Sequence, residues 1–382
     1  MSEPFSKISV VMPVYNGANY IGEAVESILN QTFTDFEFIV IDDCSTDRSW
    51  EILTKYANQD QRVKLFKNEE NLGVTKSLNK GLKLAQGDYI ARQDADDVSL
   101  PERFEKQVAL LELDSEVVLA SCNIEFVDAE GHSLATFRRE CDRALIAWHL
   151  VFRNYLGGHS QVMFRRKSAM DLGGYCESHH YNEDYELWCR LIKVGSMVIL
   201  PEVLLQRRKH SRSISSEKAS EQRNYSLSQS RHNIKQLIGE ELSLEEVEDF
   251  RVFGIITENW ESFTKNLKFS GEKAEKLHSR LKKLYRAFLQ ETAPKGTPDP
   301  KLSCQLRILI GEQFLFWSQL LSKRHNLGLK LRISLYAFFW SPLRVLKYWL
   351  REFWRLPLSL SRALVPVLAT RHTGIKAQGN KK

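Results

Sequence analysis

From Ile8 to about Leu205, short runs of β-branched and aromatic residues alternate with stretches in which apolar positions recur at helical spacing. Ile8 to Val14, Glu37 to Ile41, Val63 to Phe66, Tyr89 to Ala91, Val117 to Asn123 and Gln161 to Phe164 read as strands. Between them, Ile21, Ala24, Val25, Ile28 and Leu29 define one amphipathic helix, and Ser49 to Ala57 and Val74 to Leu84 define two more. Ser99-Leu100-Pro101-Glu102 has the form of a capping box with an early proline, which predicts a helix from about Pro101 to Leu113. A hairpin is expected around Glu130-Gly131, and Asp184 is expected to open a helix ending near Gly195. This alternation predicts an α/β class with a mainly parallel sheet covered by helices.

Past residue 215 the pattern changes. The expected organisation is an α/β domain over 1–215, a polar, serine-rich linker over 216–233, a helical region over 234–325 and a basic, aromatic tail over 326–382. Helical periodicity is read over Glu240 to Leu267, Gly271 to Leu289 and Leu302 to Leu321.

Composition narrows the class. With 382 residues, 43% hydrophobic and 27% charged, the chain can bury a proper core. The formal charge of +6 is mild, and the excess lies late, where Glu352 is the sole acid between Lys323 and Lys382. The N-terminal half is therefore no nucleic-acid platform. Six cysteines (Cys44, Cys122, Cys141, Cys176, Cys189 and Cys304) show no metal-finger spacing and are expected as free thiols in a reduced compartment. Met1 to Lys7 lacks a signal-peptide pattern, and arginines and lysines interrupt the apolar C-terminal region, so a cytoplasmic protein without a spanning helix is expected.

The densest chemistry lies in Ala91-Arg92-Gln93-Asp94-Ala95-Asp96-Asp97. Carboxylates directly after a predicted strand sit on the carboxyl edge, where open α/β sheets bind ligands. Acids this close repel one another unless a cation joins them, and hard oxygen donors suit magnesium or manganese. A helix-capping surface loop is the competing reading. Pro13-Val14-Tyr15-Asn16 and Asp42-Asp43-Cys44-Ser45-Thr46-Asp47 follow the first two strands and open on the same edge, so polar groups converge on one crevice.

VVMPVYNG, VIDDCSTDRS, RQDADD and NEDYELWCRL, in that order, resemble inverting glycosyltransferases of family 2, which have the GT-A fold. The resemblance covers roughly the first 215 residues. It implies a metal-dependent transfer of hexosyltransferase type, from a nucleotide diphosphate sugar to a glycan or lipid-linked acceptor, with cell-surface polysaccharide or glycolipid synthesis as a natural setting. Pro13, Tyr15 and Asp43 would then line the donor nucleotide site, Asp94 would face the ribose, and Asp96 would hold Mn2+ or Mg2+ with His210 as a nitrogen ligand. Asn71-Leu72-Gly73 and Lys76 resemble the family's N-x-G loop and the helix after it. Arg92 either holds a nearby acid or meets substrate. Glu183 and Asp184 start a helix, and the resemblance assigns Asp184 the role of general base, against a plain N-terminal cap. His159 is either an acceptor-side residue or structural. Arg208-Lys209-His210 with Ser213 and Ser215 resembles a stretch that closes over the diphosphate, although Arg207 stands where the family usually has tyrosine.

Between Leu329 and Leu368 aromatics alternate with arginines and lysines, which suits the headgroup region of an anionic membrane. Packing on the catalytic domain or on a partner subunit is the alternative. Other readings of the whole chain are transfer to a polyprenyl phosphate, and a scaffold that binds nucleotide sugars without turnover. A nucleotidyltransferase would show a glycine-rich loop with a lysine after the first strand, and nothing of that kind follows Val14.

Overall fold

β-branched and aromatic residues at alternating positions give strands with two apolar faces, and this is how the first strands are buried. In β1 (Ile8–Val14), Ile8, Val10, Met12 and Val14 enter one core layer while Val11 enters the other. In β2 (Phe36–Asp42), Phe38 and Val40 oppose Ile39 and Ile41 in the same way. The computed structural model describes residues 6–139, 142–211, 213, 217–253, 270–293, 297–322 and 327–354. The chain forms two units, Met1–Arg251 and Val252–Lys382.

The first unit holds a nine-stranded sheet in the order β3-β2-β1-β4-β8-β6-β9-β5, with β7 paired to β6. The remaining strands are β3 (Val63–Lys67), β4 (Tyr89–Arg92), β5 (Val98–Ser99), β6 (Val117–Val127), β7 (Ser133–Phe137), β8 (Met163–Arg165) and β9 (Ser196–Arg208). β1 runs parallel to β2 and β4, with Val14 opposite Asp42 and Val11 opposite Arg92. Their following loops therefore open on one edge.

Helices α1 (Ile21–Leu29), α2 (Ser49–Gln59) and α4 (Arg103–Leu113) cover one face through Ile21, Val25, Ile28, Leu53, Phe104 and Leu111. The other face takes α3 (Val74–Leu84), α5 (Arg143–Phe152), α6 (Arg166–Asp171) and α7 (Glu183–Leu191), with Leu78, Leu82, Ile146, Ala169 and Trp188 in the core. Trp188 is fully buried, with its ring 5.7 Å from that of Phe164, and so ties α7 to β8.

The structure departs from the sequence reading at several places. The expected linker over 216–233 carries most of α8 (Ala219–Ile238). Its polar residues are consumed by docking: Ser230 Oγ donates to Phe152 O at 2.6 Å and Asn233 Nδ2 to Leu150 O at 3.0 Å, satisfying carbonyls at the end of α5. The first unit accordingly extends past 215, to Arg251. The capping box does not form, because Ser99 belongs to β5 and its hydroxyl donates to Gln93 Oε1 at 2.7 Å, so α4 starts at Arg103. Finally, β9 is a long strand interrupted at Pro201, where its register with β6 shifts between Cys122 and Asn123.

After α9 (Leu244–Phe253) the second unit is helical: α10 (Gly271–Glu291), α11 (Pro300–Ser322), α12 (Leu327–Trp340) and α13 (Pro342–Trp354). Leu281, Leu284, Leu306, Ile310, Phe314 and Ile333 are buried in it. A Cβ on Gly311 would stand 2.6 Å from Ser341 Cβ, so only glycine lets α11 meet the turn between α12 and α13 this closely. Part of the expected 240–267 helix and the tail beyond residue 354 lie outside the described residues, as do Cys141 and Ser215. The other five cysteines are free thiols. Among the described residues no helix is long and apolar enough to cross a membrane.

Candidate active site

The loops after β1 and β2 are laced together by their own polar side chains. Asn16, at φ +51°, accepts from Thr46 N at 2.8 Å through Oδ1, while Gly17 N donates to Ser49 Oγ at 2.9 Å and Ala18 N to Asp47 Oδ2 at 3.0 Å. Asx-type bonding of this kind makes a rigid floor from a loop. Pro13 is half-buried and Tyr15 is 53% exposed above it. Asp43 is buried, and its carboxylate accepts from Asn68 Nδ2 at 2.7 Å, Leu72 N at 2.9 Å and Gly73 N at 2.8 Å. It thus anchors the Asn71–Gly73 loop, and most of its acceptor capacity is committed to protein donors. Lys76 is exposed on the first turn of α3 and does not line the cavity described next.

That cavity, of about 440 Å³, is lined by Arg92, Asp94, Asp96 and Asp97, by Gly157 to His159, by Asn154, by Tyr181 to Asp184, and by Arg207 and Arg208. The acidic loop is held from behind. Arg103, fully buried, donates to Arg92 O at 2.7 Å, to Ser99 Oγ at 2.6 Å and to Gln93 Oε1 at 3.0 Å. Arg92 is buried too; it donates to Gln93 O, and its Nη2 stands 2.5 Å from Asp94 Oδ1. Ser160 Oγ donates to Asp94 Oδ2 at 2.7 Å. Burial raises the Asp94 carboxyl, but the Arg92 charge and the Ser160 bond outweigh it and hold the group low, at about 2.

Asp96 is left facing the cavity, its Oδ2 2.8 Å from His210 Nε2. Burial and the neighbouring Asp94 charge push Asp96 up against the pull of His210. An acid made costly to ionise beside an imidazole nitrogen is a donor set that fits a small divalent cation such as Mg2+ or Mn2+, with water and phosphate oxygens as the other ligands. Asp94, committed to Arg92 and Ser160, does not complete a three-residue cage. A different group, Asp128, Glu130 and His132, has ligand atoms within 4.8 Å of one another in the turn before β7. There Asp128 Oδ1 accepts from the N–H of Glu130 and of His132, and the group does not line the cavity.

Arg208, expected over the diphosphate, lines the cavity and is also tied to its wall. Its side chain is 2% exposed; Nη2 stands 2.5 Å from Glu23 Oε2, Nε donates to Asp96 O at 3.1 Å and Nη1 to Ala129 O at 3.0 Å. The arginine without such commitments is Arg207, which lines the cavity, has no hydrogen-bonded acid among the described residues, and lowers Asp94, Asp97 and Asp184 by its charge.

At the start of α7, Asp184 Oδ1 accepts from Tyr185 N at 2.6 Å and Oδ2 from Asn154 Nδ2 at 2.8 Å. Burial raises Asp184 to about 6, against the Tyr185 N–H and Arg207, and raises Glu183 further, to about 8, with the Asp184 charge adding to it. Glu183 Oε2, Asn182 Nδ2 and Asn154 Oδ1 are buried without a hydrogen-bond partner, and all three residues line the cavity. Buried polar atoms of this kind are rare where no ligand is to be met. His159 is buried, its Nε2 2.8 Å from Tyr175 Oη and its ring 5.7 Å from that of Trp188. Burial and Arg92 push it well below its ordinary value, so it is neutral. Asn154, Ser160, Arg103 and Arg207 carried no role in the sequence reading. Only Arg207 had a signal there, as a departure from the family pattern.

A sheet whose parallel half ends in acidic loops over a polar cleft defines a GT-A fold. Residues 9–172 match the model for glycosyl transferase family 2. An uncharacterised glycosyltransferase of Methanocaldococcus jannaschii is 36% identical over 204 residues, 53% of this chain and 70% of that one. One of Rickettsia typhi is 32% identical over 212 residues, 53% of this chain and 64% of the relative. The crystal structure of S. aureus TarS 1–349 in complex with UDP-GlcNAc superposes with a TM-score of 0.52 at 20% identity, covering 74% of this chain and 82% of that one. The chain belongs to glycosyl transferase family 2.

Proposed function

We propose that this chain transfers a sugar, with inversion, from a nucleotide diphosphate donor to an acceptor hydroxyl, in the synthesis of a cell-surface polysaccharide or glycolipid. The observation that carries this reading is that one cavity is lined both by Asp94 and Asp96 and by Asn154, Asn182, Glu183 and Asp184. Pro13, Tyr15 and the loop anchored by Asp43 would bound the nucleoside, with Asp94 toward the ribose. Asp96 and His210 would hold Mn2+ or Mg2+. Bound there, the cation offsets the charge gathering on the departing diphosphate. Arg207 adds a fixed positive group to the same cleft.

The two acids of α7 divide the remaining work. Glu183, raised to about 8, keeps its proton near neutral pH, while Asp184, raised to about 6, is ionised and basic enough to act. Asp184 takes the acceptor hydroxyl proton as that oxygen bonds to the anomeric carbon from the side opposite the diphosphate. The bond from that carbon to the diphosphate oxygen breaks, its electron pair leaves with the diphosphate, and no covalent intermediate forms. Neutral His159 keeps the wall of the cleft in place through Tyr175.

The test is release of nucleoside diphosphate from UDP-, GDP- and dTDP-sugars with manganese or magnesium, comparing wild type with Asp96→Ala and Asp184→Ala. Release from one donor, lost in both variants, supports the reading. Donor binding without turnover in the presence of candidate glycan and lipid acceptors overturns it in favour of a scaffold.

A further inference from the structure

In the second unit, two consecutive helices turn apolar side chains outward. On α12, Leu329, Ile333, Ala337 and Trp340 are buried at helical spacing, which accounts for one face. Leu331, Leu335, Phe338 and Phe339 are nevertheless exposed, from 46% to 68%. Over residues 342–350 of α13 only Val345 is buried, while Leu343, Leu346, Trp349 and Leu350 are 48% to 74% exposed. Leu343, Leu346 and Leu350 recur at the spacing of a single helical stripe, so this helix is amphipathic with its apolar side facing out. Of the large apolar residues exposed among the described residues, seven are spread over 15–244 and eight fall within 331–350. Scattered exposed leucines are ordinary, but a concentration like this marks an interaction surface.

Charge selects the occupant. Residues 327–350 include Lys330, Arg332, Arg344 and Lys347 and no acid. Arg332 and Arg344 lie 3.7 Å and 3.3 Å from Glu275 and Glu312, whereas Lys330 and Lys347 have no acidic partner among the described residues. From α10, the Lys282 ammonium sits 4.4 Å from the centre of the exposed Phe339 ring. Aromatic and aliphatic groups rimmed by lysines match the boundary between acyl chains and anionic headgroups. We infer that the outer face of α12 and α13 docks on an anionic lipid bilayer, lying in its interface without crossing it.

The experiment is flotation of the full chain with phosphatidylcholine vesicles, with and without phosphatidylglycerol, at low and high salt. The expected result is co-flotation with the anionic vesicles, weakened at high salt. Leu346→Glu/Trp349→Glu should reduce binding by about tenfold or more, and Lys330→Glu/Lys347→Glu should remove the preference for phosphatidylglycerol. These side chains are exposed, and an unchanged thermal transition will show that the variants fold. A chain that stays unbound at low salt overturns the proposal. So does binding indifferent to both double variants, or a dimer seen by light scattering that Leu346→Glu/Trp349→Glu dissolves while wild type ignores vesicles. The readout is independent of sugar transfer, so its failure leaves the proposed chemistry standing.

Discussion

Asp96 Oδ2 and His210 Nε2 stand 2.8 Å apart although 114 residues separate them in the chain. Arg208 fixes this pairing, because its Nε bonds Asp96 O while its backbone N–H donates to Asp97 Oδ1 at 3.0 Å, two residues before His210. As a metal-holding pair, the two have unequal weight. Asp96→Ala is expected to lower nucleoside diphosphate release at least ~100-fold, the scale of removing one electrostatic stabiliser. His210→Ala should raise the manganese concentration for half-maximal release by roughly 10- to 100-fold. Metal titration of both variants checks this, and a His210→Ala curve that overlays wild type removes His210 from the site.

The neighbouring arginines Arg207 and Arg208 should behave oppositely. Arg207→Gln is expected to keep its thermal transition and to bind nucleoside diphosphate about tenfold more weakly, the loss of one charge-assisted contact. Arg208→Gln leaves the Asp96 and Ala129 carbonyls without their donor, while Glu23, 62% exposed, stays in water, and should destabilise the fold by about 1–3 kcal/mol. Calorimetric titration with UDP and GDP beside thermal melts separates the two. Equal melting losses would show that Arg207 is structural as well.

Much of this architecture was legible in the chain because buried strands need β-branched residues and covering helices need a periodic face. Val74 to Leu84 reads as a helix with the bounds it has, and the patterns around RQDADD and NEDYELWCRL point to the sheet edge and the helix start where they lie. The division between Arg207 and Arg208 was not legible. Successive residues of a strand face opposite sides, and only the pairing of β9 with β6, Arg207 opposite Phe126 and Arg208 opposite Val127, decides which guanidinium is tied to Glu23 and the Asp96 carbonyl. α8 was hidden for a different reason. Its serines and asparagine resemble a linker until the carbonyl end of α5 is there to receive them.

Asp184 sets the expected pH dependence. Facing it are Glu183, Asp94, Arg207 and the Asn154 amide, with burial the largest influence. If Asp184 is the base, as proposed, its ionised carboxylate is the working form, so turnover should be full above about pH 6 and fall as pH drops through that value. Asp184→Asn should lower kcat by roughly 10²- to 10⁴-fold without weakening UDP or GDP binding. A pH–rate profile of wild type with binding data for the variant checks both. An Asp184→Asn enzyme that keeps its rate would mean an acceptor already ionised, as a polyprenyl phosphate is.

Glu183 has a consequence for stability that runs against the usual behaviour of carboxylates. Its folded-state value, about 8, lies above the 4.5 of an ordinary glutamate, chiefly through burial and then the Asp184 charge. Between those values the folded chain holds a proton that the unfolded chain has lost, so this group's contribution to stability falls as pH rises from about 4.5 to about 8. Arg92 and Asp94 also face Glu183, and His159, with Nδ1 4.0 Å from Oε1, is neutral and supplies no compensating charge. Glu183→Gln keeps the shape and cannot ionise. It should therefore melt close to wild type at pH 5 and be more stable than wild type at pH 8, by about 1 kcal/mol or more. Denaturant titrations of both proteins at the two pH values test this. A variant less stable at pH 8 than wild type would mean that Glu183 is ionised in the folded chain and paired with Arg92, which would also withdraw its neutral role beside Asp184.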